Sequence, residues 1–211
     1  MKYNSLGGLT TAIIALIGFQ VFLIITMPLF QMFFFRYIYE IMSPQMINVL
    51  IPLPSRLGSL ALLVVFSIWM YKAAQNVRYF GADDLKYSPG LAAGSCYIPF
   101  VNLVLPFLIL NEISVATANP ESPKTQGFNP LVILTWVSFV LSTLLSTFQF
   151  ALSMALPWIM QYLYMSFSNV SVIFSALFII SSFFYIVWGV LAVILAVKIS
   201  RAHKSAAGAK S

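Results

Sequence analysis

The chain has 211 residues, of which 61% are apolar and only 8% are charged. A soluble domain carries about 25% charged residues, so this chain cannot cover its own surface with polar groups. The composition therefore excludes a soluble domain and predicts an integral membrane protein.

Eleven basic and five acidic residues give a net charge of +6. No basic run or groove-reading motif accompanies this excess, and basic residues that flank membrane spans explain it, so we expect no nucleic-acid partner.

Cys96 and His203 are the only cysteine and histidine. A single residue of each type excludes an internal disulfide, a histidine-pair metal site and a nucleophilic triad. We therefore expect no enzyme activity, no metal and no cofactor.

Uncharged stretches place the first two spans. Residues 3–35 carry no charge, which predicts a retained first span rather than a shorter, cleavable signal. Residues 41–55 contain three prolines and predict a loop with an interfacial piece. A second span is predicted over 57–72, with Arg56 or Lys72 snorkelling to the interface.

The next uncharged stretch, 87–111, is interrupted by Pro89, Pro99 and Pro106. If it enters and leaves on one side, nine basic residues lie on the cytoplasmic side and two outside; a full crossing gives seven and four. Because cytoplasmic loops concentrate Lys and Arg, the first arrangement is favoured. The prediction is a polytopic all-α bundle with four transmembrane helices and a proline-broken re-entrant or interfacial segment. Five transmembrane helices are the alternative.

Two further spans are predicted at about 130–154 and 171–197, within the uncharged stretch 125–197. Residues 1–200 are expected to form a single membrane-embedded domain. The basic residues that follow predict a disordered cytoplasmic tail over 201–211, and His203 in that tail has no evident role.

Both of these spans carry polar or small residues at steps of three and four, which places them on one helix face. The pattern indicates close helix–helix packing, and a polar permeation path is the alternative. The residues predicted to line this packing stripe are Ser138, Ser142, Ser146, Ser175, Ser182 and Gly189.

Several runs in the middle of the chain resemble a bacterial membrane family known only as domain-of-unknown-function family 4328. They are WMYKAAQNVRYFG (69–81), YSPGLAAG (87–94), IPFVNLVLP (98–106), NEI (111–113) and ANP (118–120). The resemblance covers about 69–120 and, more loosely, the flanking spans. It implies an architecture and no function. The motif positions carried over are Trp69, Tyr71, Lys72, Asn76, Arg78, Gly81, Ser88, Pro89, Gly90, Pro99, Asn102, Pro106 and Glu112.

The chain departs from the family pattern where Ala74 replaces a Tyr, Leu91 a Trp and Asn111 an Arg. Of the motif residues, Glu112 is expected to face Arg78 or Lys72. An interfacial salt bridge that fixes the segment is favoured over an ion pair that tunes a pathway. Asn102 is expected to satisfy carbonyl groups freed by Pro99 and Pro106, although such carbonyls could also bind a cation or a lipid headgroup.

Three functions remain open. The first is an accessory or scaffold subunit of a larger membrane assembly, with the lipid bilayer and other subunits or itself as partners. The second is a small transporter or channel with a site near Asn102 and Glu112. The third is a membrane immunity protein against a pore-forming toxin. The expected location is the bacterial inner membrane, with multiple spans and both termini cytoplasmic.

Overall fold

The computed structural model describes residues 3–82, 85–98, 100–119, 127–163 and 167–210. Every regular element in these ranges is a helix, which confirms the predicted all-α class. The elements in chain order are α1 (Gly7–Ile41), α2 (Pro44–Leu50), α3 (Leu53–Tyr79), α4 (Pro89–Gly94), a 3-10 turn (Val101–Leu103), α5 (Leu105–Ala118), α6 (Pro130–Leu163) and α7 (Phe167–Lys210).

Five helical stretches are long and apolar enough to cross a membrane: Gly7–Phe34, Leu53–Tyr79, Val101–Ala118, Pro130–Ala155 and Val172–Ala209. The third is the shortest, with 18 residues including the 3-10 turn. Its α-helical part, α5, has 14 residues. At 1.5 Å per residue α5 is about 21 Å long, which is less than the hydrocarbon thickness of about 30 Å.

The two ends of segment 87–111 meet. The Glu112 carboxylate accepts hydrogen bonds from the backbone N–H groups of Lys86 and Tyr87, at 2.6 and 3.2 Å. A segment that crossed the bilayer would separate these ends by about 30 Å. The contacts therefore agree with the predicted same-side arrangement and disagree with the five-crossing alternative.

Between its ends, the segment reaches well along α3. The Tyr97 hydroxyl lies 2.7 Å from the Ser67 hydroxyl, which is in the middle of α3. Ser67 lies nine positions before Asn76, which corresponds to roughly 13 Å along the helix. The segment therefore runs back along α3 from the end of that helix towards its middle.

α1 and α3 are joined by a buried amide. Gln20 Nε2 donates to the Ser55 carbonyl at 2.9 Å and to the Ser59 hydroxyl at 3.0 Å, and the Ser55 hydroxyl donates to Gln20 Oε1 at 3.1 Å. Gly58 faces this amide, and a Cβ at Gly58 would lie 2.7 Å from Gln20 Nε2. The missing side chain lets the two helices approach closely enough for the amide to bond across.

The described chain divides into two compact units, where the sequence predicted a single embedded domain. One unit comprises residues 1–132 and 193–211, and the other comprises 133–192. In the second unit, α6 and α7 pack through aromatic rings: Phe139 lies 5.7 Å from Trp188, between ring centroids. Trp188 also lies 5.1 Å from Tyr185 on its own helix.

The C-terminal residues differ from the predicted disordered tail, because α7 continues as a helix through Lys210. The physical reason is burial along one face: Leu195, Ile199 and His203 recur every four residues and are 1–2% exposed. A helix whose apolar face is buried in this way is stabilised by packing and does not fray at the first basic residue. Ser211 lies outside the described residues.

Candidate functional site: the re-entrant segment and its anchors

The first anchor of the re-entrant segment is at its start. Glu112 holds the N–H groups of Lys86 and Tyr87, while Arg78 Nη2 donates to the Tyr87 carbonyl at 3.1 Å. Both charged side chains thus hold the same piece of backbone. This differs from the expected pairing of Glu112 with Arg78 or Lys72, because unpaired N–H groups at a chain turn are strong donors to a carboxylate. Arg78 Nε is buried and has no acceptor among the described residues.

Two local features shape the turn into the segment. Gly81 has φ +106°, a conformation that costs a residue with a side chain but not glycine. Ser88 then caps α4, because its hydroxyl oxygen accepts from the Leu91 N–H at 3.2 Å. Pro89 occupies the first turn of α4, where a missing N–H costs nothing. Gly90 is the next residue of the same helix.

At the inner end of the segment, the backbone is strained. Phe100 has φ +63° although it carries a bulky side chain, and this side chain is 87% exposed. Such conformations cost about 1–3 kcal/mol and persist only where the surroundings enforce them. Pro99, which precedes it, lies outside the described residues.

Asn102 and Pro106 do not act as the sequence predicted. The Asn102 N–H donates to the Ile98 carbonyl at 2.9 Å, but its side-chain amide makes no hydrogen bond to the described part of the chain. Pro106 is in the first turn of α5 and is buried there. A proline in this position interrupts no helical hydrogen bond, so Pro106 frees no carbonyl for the Asn102 amide.

Cys96 lies between α4 and the inner end of the segment and is buried. Burial raises the pKa of its thiol, and a hydrogen bond with the Ser95 side chain lowers it by less. The protonated thiol is a poor nucleophile. Cys96 therefore behaves as a small apolar residue in the packing of the segment.

The remaining motif residues of α3 point to other helices or to the surface. Trp69 is buried, and its indole Nε1 donates to the Thr10 hydroxyl of α1 at 3.1 Å. Tyr71 is exposed, and its hydroxyl oxygen accepts from Gln75 Nε2 at 3.0 Å. Lys72 is half-buried.

Asn76 belongs to a second polar cluster, which lies near the end of α3, as Arg78 does. Its Nδ2 donates to the Asn4 carbonyl at 2.7 Å, and its Oδ1 accepts from the Asn4 N–H at 2.8 Å. Asn76 Nδ2 also lies 3.4 Å from His203 Nδ1, and His203 Nε2 lies 2.9 Å from the Thr117 hydroxyl. The cluster joins the chain before α1 with the ends of α3, α5 and α7.

The buried position of His203 was not predicted, although the sequence carries a signal for it. Leu195, Ile199 and His203 continue the four-residue spacing of α7 beyond the predicted span. Extending the helical periodicity past Lys198 would have placed the histidine on the buried face.

Asn111, one of the departures from the family pattern, also has a structural partner. Its Oδ1 accepts from the Asn129 N–H at 2.8 Å. Asn129 in turn caps α6, because its Oδ1 accepts from the Leu131 N–H at 2.9 Å, and its Nδ2 donates to Ser114 at 2.6 Å. An arginine at 111 would have no acceptor to offer to Asn129.

The packing stripe divides into a buried and an exposed part. Ser138, Ser142 and Gly189 are buried, and Ser182 is half-buried. The Ser138 hydroxyl donates to the Leu134 carbonyl of its own helix at 2.9 Å. Ser146 and Ser175 are exposed. Close packing thus accounts for the buried members of the stripe and leaves the exposed ones without that explanation.

Comparison with known proteins gives one result that decides the family. The family described as "Domain of unknown function (DUF4328)" matches residues 45–202. The chain belongs to this family. The match includes both ends of the re-entrant segment, Asn76 and Thr117, and it stops before His203. No curated protein and no solved structure matches the chain.

Within this DUF4328 member, several hydrogen-bonded motif residues connect one part of the chain to another. Glu112 and Arg78 hold the start of the segment, Ser88 caps its first helix, and Trp69 joins α3 to α1. Among the described residues, no group of three or more His, Cys, Asp or Glu side chains could hold a metal ion. The arrangement can hold the start of segment 87–111 against the end of α3.

Proposed function

We propose that this chain is a non-catalytic accessory or scaffold subunit of a larger membrane protein assembly. The observation that carries the proposal is the use of Glu112, the acidic residue of the family pattern. Both of its oxygens bond to backbone N–H groups, so the carboxylate is engaged in holding the fold. A carboxylate that orients two backbone N–H groups of a distant turn favours a structural role for this residue.

The other polar motif residues support the same proposal. Both polar atoms of the Asn76 amide are bonded inside the molecule, to Asn4 and His203. The Trp69 indole, whose only polar atom is a donor, is bonded to Thr10. Side chains that are bonded inside the molecule favour a structural role for the family pattern.

A partner subunit would contact the bundle within the membrane. Ser146 and Ser175 are exposed among apolar residues of α6 and α7. Small hydroxyl residues let helix backbones approach closely and bond across, and they are enriched at interfaces between transmembrane helices. We propose as partners the lipid bilayer and the transmembrane helices of other subunits or of a second copy.

Charge placement supports a bacterial inner-membrane location with both termini in the cytoplasm. The contacts of Asn4, Asn76 and His203 put the chain start, the end of α3 and the end of α7 at one end of their unit. On this arrangement nine of the eleven basic residues lie on one side. The excess of Lys and Arg marks that side as cytoplasmic.

One observation favours a small transporter or channel as a second candidate. The Asn102 amide makes no hydrogen bond to the described residues, and it lies beside the strained Phe100 in a segment that reaches into the membrane. Irregular backbone at membrane depth is where transporters bind their substrates. Under this candidate, Asn102→Ala would leave the fold intact and abolish a ligand-dependent thermal shift.

Purification of the tagged chain from its native membrane in a mild detergent tests the proposal. We expect a stoichiometric membrane-protein partner that is lost in Ser146→Trp, whose bulk lies on the exposed face, and retained in Lys204→Gln at the helix end. A chain that purifies without another membrane protein and that moves a solute across the membrane of a reconstituted vesicle would support the transporter candidate. Capture of a pore-forming toxin would support the immunity alternative, and both results would contradict the scaffold proposal.

A further inference from the structure

The cluster around His203 determines where the ring carries its proton. Asn4 fixes the orientation of the Asn76 amide, because a backbone carbonyl can only accept and a backbone N–H can only donate. The second hydrogen on Asn76 Nδ2 is then free to point to His203 Nδ1, at 3.4 Å. Nδ1 must therefore be the unprotonated, accepting nitrogen.

The contact of Nε2, on the opposite side of the ring, indicates the same tautomer. The Thr117 hydroxyl donates to the Ile113 carbonyl at 2.6 Å, which uses its only hydrogen. Its oxygen can then only accept from His203 Nε2, at 2.9 Å. The two sides together require a neutral imidazole with its proton on Nε2.

The groups bonded to the ring or stacked with it in the described ranges are uncharged. Phe80 of α3 meets it edge to face, with the ring centroids 5.4 Å apart, and Asn76 of α3 and Thr117 of α5 are its hydrogen-bonding partners. Before α1, Asn4 bonds to Asn76, and Tyr3 packs on Phe80 with the ring centroids 6.1 Å apart. The imidazole itself is 1% exposed.

The elements that contact the ring also carry charged and titratable groups. On α3 these are Lys72 and Tyr79, which flank Asn76 by about one turn on either side, and Arg78, which is bonded to Tyr87. On α5 Glu112 is engaged by two backbone N–H groups. On α7 Arg201 and Lys204 are exposed. Within the described ranges, no carboxylate is bonded to the ring to stabilise an imidazolium.

We propose that His203 is an acid-operated latch that holds the end of α7 against α3 and α5. In its neutral form, the imidazole accepts from Asn76 and donates to Thr117. Protonation puts a hydrogen on Nδ1, where Asn76 already presents one, and two donors then face each other in a buried site. The stable response is for the histidine to leave the site, and the segment 199–210 leaves with it.

The latch is a feature of this chain beyond the family match, which stops at residue 202. It also extends to the other terminus, because Asn76 bonds to the backbone of Asn4. Opening of the latch would therefore free Asn76 on one side and expose the contact between the chain start and α3. The proposal is independent of whether the protein is a scaffold or a transporter.

Hydrogen–deuterium exchange of the full chain in detergent tests the latch. Protection of 199–210, corrected for the intrinsic exchange rate, is compared between about pH 7.5 and about pH 3.5, because a buried ring without a counter-charge takes up its proton at a lower pH than an exposed histidine. We expect protection there to fall by about ten-fold or more at the lower pH, while protection of residues 62–74 in α3 stays constant. Unchanged protection of 199–210 would overturn the proposal.

His203→Gln separates the histidine from other acid-sensitive groups such as Glu112. The glutamine amide can donate to Thr117 and accept from Asn76 but cannot become a cation at these pH values. We expect 199–210 to remain protected at both pH values in this variant. The same pH-dependent loss as in the natural chain would assign the effect to another group and contradict the latch.

A measurement on the unaltered chain covers the case in which the variant does not fold. Because His203 is the only histidine, ¹⁵N-histidine labelling gives the NMR signals of this one ring. We expect the proton on Nε2 and a bare Nδ1 at neutral pH. A proton on Nδ1, or on both nitrogens, would overturn the hydrogen-bond assignment and the latch with it.

Discussion

Gly58 is the position where a single methyl group should test the packing of α1 on α3. In Gly58→Ala the new Cβ would lie 2.7 Å from Gln20 Nε2 and 3.3 Å from two ring carbons of Phe19. The Gln20 amide must then move, and its three hydrogen bonds to Ser55 and Ser59 are lost or lengthened.

The expected cost follows from those three bonds. Hydrogen bonds between transmembrane helices contribute about 0.6 kcal/mol each on average, so their loss costs about 2 kcal/mol. Replacement of glycine by alanine inside a helix offsets up to about 1 kcal/mol. The net loss of about 1 kcal/mol should lower the thermal unfolding midpoint in detergent by about 2–4 °C for a chain of this size.

Gly18→Ala is the matched control, because it is also inside a helix and its Cβ would meet nothing within 4 Å. It should leave the midpoint unchanged or raise it. In a Gln20→Ala background, Gly58→Ala should cost less, with only the Phe19 contact remaining. The reasoning is refuted if Gly58→Ala and Gly18→Ala shift the midpoint equally, or if the cost at Gly58 is the same with and without Gln20.

Three further predictions concern the re-entrant segment, the packing stripe and the topology. Glu112→Gln should lower the free energy of unfolding by about 1.5–3 kcal/mol, since charge-assisted hydrogen bonds are lost. Lys86→Gln keeps the backbone N–H that Glu112 binds, so its effect should be smaller. Equal effects of the two substitutions would contradict the role of Glu112 as an anchor. Ser142→Leu should lower the thermal unfolding midpoint because Ser142 is buried, whereas Ser146→Leu, at an exposed position, should not. An unchanged midpoint in both variants would contradict the packing interpretation. Reporters placed within 72–86 and at the C-terminus should report the same compartment, and opposite compartments would restore a full crossing by 87–111.

Composition and charge spacing were sufficient for the class of the protein. A chain with 8% charged residues has too few polar groups for a water-facing surface, so its helices must face lipid. The asymmetry of Lys and Arg also favoured a same-side segment at 87–111, and the bonds from Glu112 to Lys86 and Tyr87 agree with it. These inferences hold because they depend on transfer free energies and not on a particular partner.

The roles of individual motif residues could not be predicted in the same way. The sequence paired Glu112 with a cation, since it shows side chains but not which backbone N–H groups a turn leaves unpaired. It assigned Asn102 to freed carbonyls, although Pro106 begins a helix and frees none. Both errors have one cause: the hydrogen-bonding capacity of the backbone depends on where each helix starts and ends.

By itself, the sequence determined that this is an all-helical membrane protein of the DUF4328 pattern, because hydrophobic length and residue type act locally. Only the tertiary structure decided that the chain start and the ends of α3, α5 and α7 meet at His203. Asn4, Asn76, Thr117 and His203 are up to about two hundred positions apart in the chain. Their complementarity as donors and acceptors exists only when the helices have been packed, since a buried polar group must find its partner wherever the fold brings one.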